Sequence, residues 1–75
     1  MGNQFSAKQV IKVLEKSGFN TISQKGSHIK LRKLGAQIVT IIVPNHKTIK
    51  PGTLRNIIRT SGLTKEEFLK LIRKK

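Results

Sequence analysis

From residue 28 to residue 32 the chain alternates without a break, with His28, Lys30 and Arg32 on one side and Ile29 and Leu31 on the other. Successive strand residues point to opposite faces, so this stretch predicts a β-strand with one dry face and one basic face. A sheet built around it must be covered by helices on its apolar side, while the basic side belongs to water. A chain of 75 residues has room for one such arrangement, and a single domain over residues 1–75 is expected. Cysteine is absent, so neither a disulfide nor a thiolate metal site can staple the core, and packing alone must hold it.

The flanking residues supply the other elements. Ser6 and Gln9 have capping-box spacing, Phe5 is placed to staple onto Val10, and Gly18 stands where a left-handed residue ends a helix. A first helix is therefore expected over residues 7–17. Val10, Ile11 and Leu14 form its apolar face, and Lys8, Lys12 and Lys16 recur every four residues on another. Residues 19–43 read as three short strands, broken at Lys25, Gly26 and Ser27 and again at Leu34, Gly35 and Ala36. The last strand is apolar on both faces and lies at a sheet edge. Its Ile38, Thr40 and Ile42 side is either covered by the third helix or the chain end, or left as an interface. Residues 44–50 read as a polar connection. Pro51 suits the first position of a second helix, with Leu54, Ile57 and Ile58 inward and Gly62 at its end. Leu63, Thr64, Glu67 and Phe68 then start a third. The order α-β-β-β-α-α, a three-stranded antiparallel meander with helices packed on one face, is an α+β fold.

Charge narrows the function. Sixteen Lys and Arg face three acidic residues, a net charge of +13, and such self-repulsion in a small domain calls for a polyanion, with nucleic acid first. Three Phe and no Trp or Tyr make it a poor base-stacking platform. The acidic residues are Glu15, Glu66 and Glu67, too few and too scattered for a two-metal nuclease or a glycosidase, so no metal and no cofactor are expected. Ser27 lacks an acid to orient a histidine beside it and is read as a turn residue. The longest apolar run, residues 38–43, is far too short to span a bilayer, and a cytoplasmic protein without membrane contact is expected.

Two histidines remain in this basic field. A turn about Gly35 pairs strand residues whose numbers sum to about 70, which puts His28 opposite Ile42 at the sheet end where the chain leaves toward His46. Both imidazoles then gather near one edge. Lys25, Lys47, Lys50 and the start of the second helix, behind Pro51 and Gly52, approach the same edge with ammonium and backbone N–H groups for phosphate. Such a set suits metal-independent RNA cleavage. One group removes the ribose 2′-hydroxyl proton, the oxygen attacks the adjacent phosphorus, and an acid protonates the leaving 5′-oxygen. Histidine serves both tasks near neutral pH, and cations stabilise the phosphorane. DNA, lacking the 2′-hydroxyl, would be bound and left uncut.

The segments Gln24-Lys25-Gly26-Ser27-His28, Val43-Pro44-Asn45-His46, Lys50-Pro51-Gly52-Thr53-Leu54-Arg55-Asn56-Ile57-Ile58 and Ser61-Gly62-Leu63 together resemble HicA, the toxin of HicA and HicB toxin-antitoxin pairs. The resemblance runs from the Ser6 helix start through Phe68. It implies a double-stranded-RNA-binding-domain-like fold and endoribonuclease activity on messenger RNA. It further implies a catalytic histidine at the position of His28 and neutralisation by a HicB-type antitoxin that masks the site. Some members carry a second histidine after the Gly-Ser-His, where this chain has Ile29, so that role is not carried over. His28 is thus the expected general acid or base, and His46 the secondary assignment. Lys25, Gly26, Ser27, Lys30, Arg32, Lys47, Lys50, Arg55, Lys8 and Lys12 are the expected RNA contacts, and the free protein is expected to be a monomer. The competing reading is a double-stranded-RNA-binding module with the same surface and no chemistry.

Overall fold

The computed structural model describes residues 4–73. Six elements follow in order: α1 (Ala7–Lys16), β1 (Asn20–Lys25), β2 (His28–Lys33), β3 (Val39–Pro44), α2 (Pro51–Ser61) and α3 (Lys65–Arg73). The strands make an antiparallel meander in the order β1-β2-β3, the α+β arrangement expected from the sequence.

The helix ends follow their cap residues. Ser6 Oγ accepts from the Gln9 N–H at 3.2 Å, and Gln9 Oε1 accepts from the Ser6 N–H at 3.0 Å, so two donors at the start of α1 are satisfied reciprocally. At its far end Gly18 takes a φ of 102°. Its N–H reaches the Glu15 carbonyl at 3.1 Å and the Phe19 N–H reaches the Leu14 carbonyl at 3.0 Å, the paired bonds of a Schellman turn. That turn drives Phe19 into the core, where the Lys33 ammonium stands 5.8 Å from the ring centre. At the end of α2 the Leu63 N–H donates to Ser61 Oγ at 3.1 Å, and that hydroxyl donates to the Ile58 carbonyl at 2.6 Å. A side chain here relays the bond that Phe19 makes directly. Thr64 and Glu67 form a second capping box that starts α3, at 2.9 and 3.0 Å.

The alternation in β2 is realised: Ile29 and Leu31 are buried, while His28, Lys30 and Arg32 lie on the opposite face. Ile41 and Val43 join them from β3, and Val10, Val13 and Leu14 of α1, Leu54 and Ile57 of α2 and Phe68 of α3 close the core. Burial of this kind stabilises by roughly 1.5–3 kcal/mol for each large aliphatic or Phe side chain. All of β1 is exposed, including Thr21 and Gln24, which pair with Leu31 and Ile29, so α1, which approaches β1, leaves its side chains open to solvent. A bulge between Thr21 and Ser23 shifts the register of β1.

Four features depart from the sequence reading. His28 pairs with Pro44 and not with Ile42, because the β2–β3 connection is centred on Ala36, one residue beyond Gly35. Moving a turn centre by one residue moves the pairing by two and leaves each side chain on its face. Ile49, inside a stretch read as a polar connection, is buried, and its N–H donates to the Phe5 carbonyl at 2.8 Å. Phe5 meets Phe68 edge-on, with ring centroids 5.9 Å apart and planes at 70°. Finally, α3 rests mainly on α1, where Lys16 Nζ donates to the Leu71 carbonyl at 3.4 Å. It therefore does not cover the edge strand, and Ile38 and Ile42 are 66% and 43% exposed.

Candidate active site

The site is built by a hairpin turn and a chain exit held side by side. Lys25 and His28 are the last pair of the β1–β2 ladder, with Gly26 and Ser27 between them. Gly26 has a φ of 59°, and no other residue type has positive φ among the described residues, so the left-handed position falls on the first turn residue, as a type II′ hairpin requires. The turn delivers His28, exposed, to the first position of β2 on the basic face. Lys25, His28 and Pro44 then form one row across the sheet.

Beyond Pro44 the chain is pinned at several points. The Asn45 N–H donates to the Ser27 carbonyl at 2.6 Å, the His46 N–H to the Pro44 carbonyl at 2.9 Å, and the His46 carbonyl accepts from the Ala7 N–H at 3.0 Å. His46, exposed, is therefore fixed in backbone between the turn that carries His28 and the first residue of α1. The register found brings the two histidines closer along the chain than the expected one, since His46 lies two residues past the partner of His28. Neither imidazole has a hydrogen-bond partner among the described residues. Both rings are thus available to a ligand.

The cations sort into groups. Lys25 shares the His28 row, and Lys47 and Lys50 are exposed on the connection that follows His46. Lys50 is the N-cap of α2 and its side chain makes no capping bond, so the Gly52 and Thr53 N–H groups at that helix start have no side-chain acceptor. Lys30 and Arg32 continue the basic face along β2, roughly 7 and 13 Å from His28 at strand spacing. Arg32 is half-buried, and its Nε is enclosed without a hydrogen-bond partner. Lys8 lies in the first turn of α1, beside the Ala7 bond to His46, and Lys12 lies a turn further on. Both are exposed on the helical layer, which packs on the sheet face opposite His28. Arg55 lies on α2 one turn past Pro51, in a cleft it shares with Arg59 and Lys65. The sequence pattern could not show that cleft, because it depends on how α3 folds back after Gly62.

The acidic residues are placed for structure. Glu67 caps α3 through Thr64, and Glu66 lies in the same first turn. Among the described residues no three His, Cys, Asp or Glu side chains converge as a metal site would need. No helix there is long and apolar enough to cross a membrane.

The chain is thus a small, strongly basic α+β protein that displays an unpartnered histidine at a hairpin turn, amid cations. The family model for the HicA toxin of bacterial toxin-antitoxin pairs matches residues 7–63, from the first residue of α1 to the residue after Gly62, and the chain belongs to that family. A search of curated proteins found no match.

Proposed function

We propose that this toxin is a metal-independent endoribonuclease that cuts messenger RNA with His28 and is neutralised by a HicB-type antitoxin. The observation that carries the reading is the Lys25, His28 and Pro44 row, which sets an exposed imidazole beside an ammonium group with His46 two residues past the row's end.

In the cleavage step an imidazole takes the 2′-hydroxyl proton and the 2′-oxygen bonds to the adjacent phosphorus. The bond from phosphorus to the 5′-oxygen breaks, and a second acid supplies the proton that oxygen needs. His28 fills one role, and His46, or failing it a lysine or water, fills the other. Lys25, Lys47 and Lys50, with the Gly52 and Thr53 N–H groups, neutralise the charge that grows on the phosphorane. Lys30 and Arg32 hold the strand that runs on along β2, and Lys8 and Lys12 extend the basic surface around the start of α1. The peptide groups of Gly26 and Ser27 fit the same backbone path. The products are a 2′,3′-cyclic phosphate and a 5′-hydroxyl.

The test is a matched pair of oligonucleotides, one all RNA and one with 2′-deoxyribose at every position, incubated with the protein in chelator. The reading expects cuts in the first, with cyclic phosphate ends, and binding without cuts in the second. Equal cleavage of both would overturn it. Binding of both with cleavage of neither would establish the RNA-binding module instead.

A further inference from the structure

Beyond the start of α2, that helix and the start of α3 line a cleft of about 410 Å³ formed by Pro51, Leu54, Arg55, Ile58, Arg59 and Lys65, within the usual range for concave binding sites. Arg55 and Arg59 are one helical turn apart on α2, and Lys65 opens α3. The floor is aliphatic and the rim carries three cations. Among the described residues none of the three has a carboxylate partner.

We infer that this cleft is a docking groove for an acidic amphipathic segment of a partner protein, which seats an apolar side chain on Leu54 and Ile58 and sets carboxylates against Arg55, Arg59 and Lys65. The inference rests on the reading of the chain as a toxin held by an antitoxin, since that partner would supply the segment. Two other occupants fit the cleft less well. A nucleic acid backbone presents phosphates and sugars, which match the rim and leave the aliphatic floor unmatched. A second copy of this chain would set a +13 surface against another, and it has only Glu15, Glu66 and Glu67 to offer, with Glu67 already used as a cap. An acidic amphipathic segment satisfies floor and rim together. The cleft also begins at Pro51, next to Lys50, so a segment seated there leads its own chain toward the His28 end. The residue Lys65 lies outside the part of the chain that the family match covers.

The test compares the full-length wild type with the double variants Arg59→Glu/Lys65→Glu and Arg59→Gln/Lys65→Gln. The probes are the purified antitoxin encoded with this chain and a 20-nucleotide RNA. Charge reversal is expected to weaken antitoxin binding by about a hundredfold, with neutralisation giving a smaller loss, while the melting temperature and RNA cleavage stay as in the wild type. Antitoxin affinity unchanged in both variants would overturn the docking groove. A loss of RNA affinity with antitoxin affinity unchanged would overturn it in favour of a nucleic-acid contact. Failure of the wild type to bind the antitoxin at all would overturn the toxin-antitoxin reading beneath it.

Discussion

The Asn45 N–H donates to the Ser27 carbonyl at 2.6 Å, one bond past the last strand pair, between His28 and Pro44. It ties the turn that aims His28 to the segment that carries His46. The relative position of the two imidazoles therefore depends on the conformation of a two-residue turn, and any change that reshapes the turn should be felt in activity before it is felt in the fold.

Gly26→Ala tests this. Nothing lies within 4 Å of a Cβ added there, while φ is 59°, so the whole cost is backbone strain of about 1 kcal/mol. In a domain this small the melting temperature should fall by about 4–8 °C. Cleavage measured well below the transition should fall more than that stability loss explains. Full activity in the strained variant would show that the turn does not set the site.

The Phe5 and Phe68 pair should be the most sensitive point in the fold. Phe68 is fully buried and is the single buried residue of α3, so Phe68→Ala removes the anchor of that helix, at a cost of roughly 3–5 kcal/mol. Most of the stability of a domain this size would go, and thermal denaturation should find the variant largely unfolded at 37 °C. Phe5→Ala should cost less, and a double-mutant cycle should return a coupling of about 0.5–1.5 kcal/mol for the edge-on ring contact. Strict additivity would mean that the rings do not interact in solution.

RNA binding should be steeply salt-dependent. With about six phosphates neutralised, log affinity should fall against log salt with a slope near −4 on a single strand and −5 on a duplex. Lys25→Gln, Lys47→Gln and Lys50→Gln should each flatten the slope by about 0.7–0.9. A lysine whose removal leaves the slope unchanged is not a phosphate contact.

Local signals were readable in the sequence, and non-local ones were not. The capping boxes at Ser6 and Thr64, the ends at Gly18 and Gly62 and the face assignment of Ile29 and Leu31 each follow from a few neighbouring residues, and the structure has them all. The pairing of His28 differs by two residues from the one the sequence predicts, because a five-residue connection has no turn signal strong enough to fix its centre. The burial of Ile49 leaves no trace in the sequence, because one apolar residue in a polar stretch makes no periodicity. The cleft of Arg55, Arg59 and Lys65 was invisible because it forms between elements. A register shift of two preserves the face of His28 and moves its pairing partner from Ile42 to Pro44, two residues before His46.

The central claim is that His28 carries the chemistry. Its most direct test is cleavage of a long single-stranded RNA by the wild type and His28→Ala, with chelator present, alongside RNA affinity and thermal stability. His28 is exposed, so the variant should keep its stability within about 0.5 kcal/mol, and its RNA affinity within about threefold, because the phosphate contacts are ammonium and guanidinium groups. Loss of an acid–base group should lower the cleavage rate by about 10²–10⁴-fold. A His28→Ala protein that folds, binds RNA and still cuts at the wild-type rate would contradict the account.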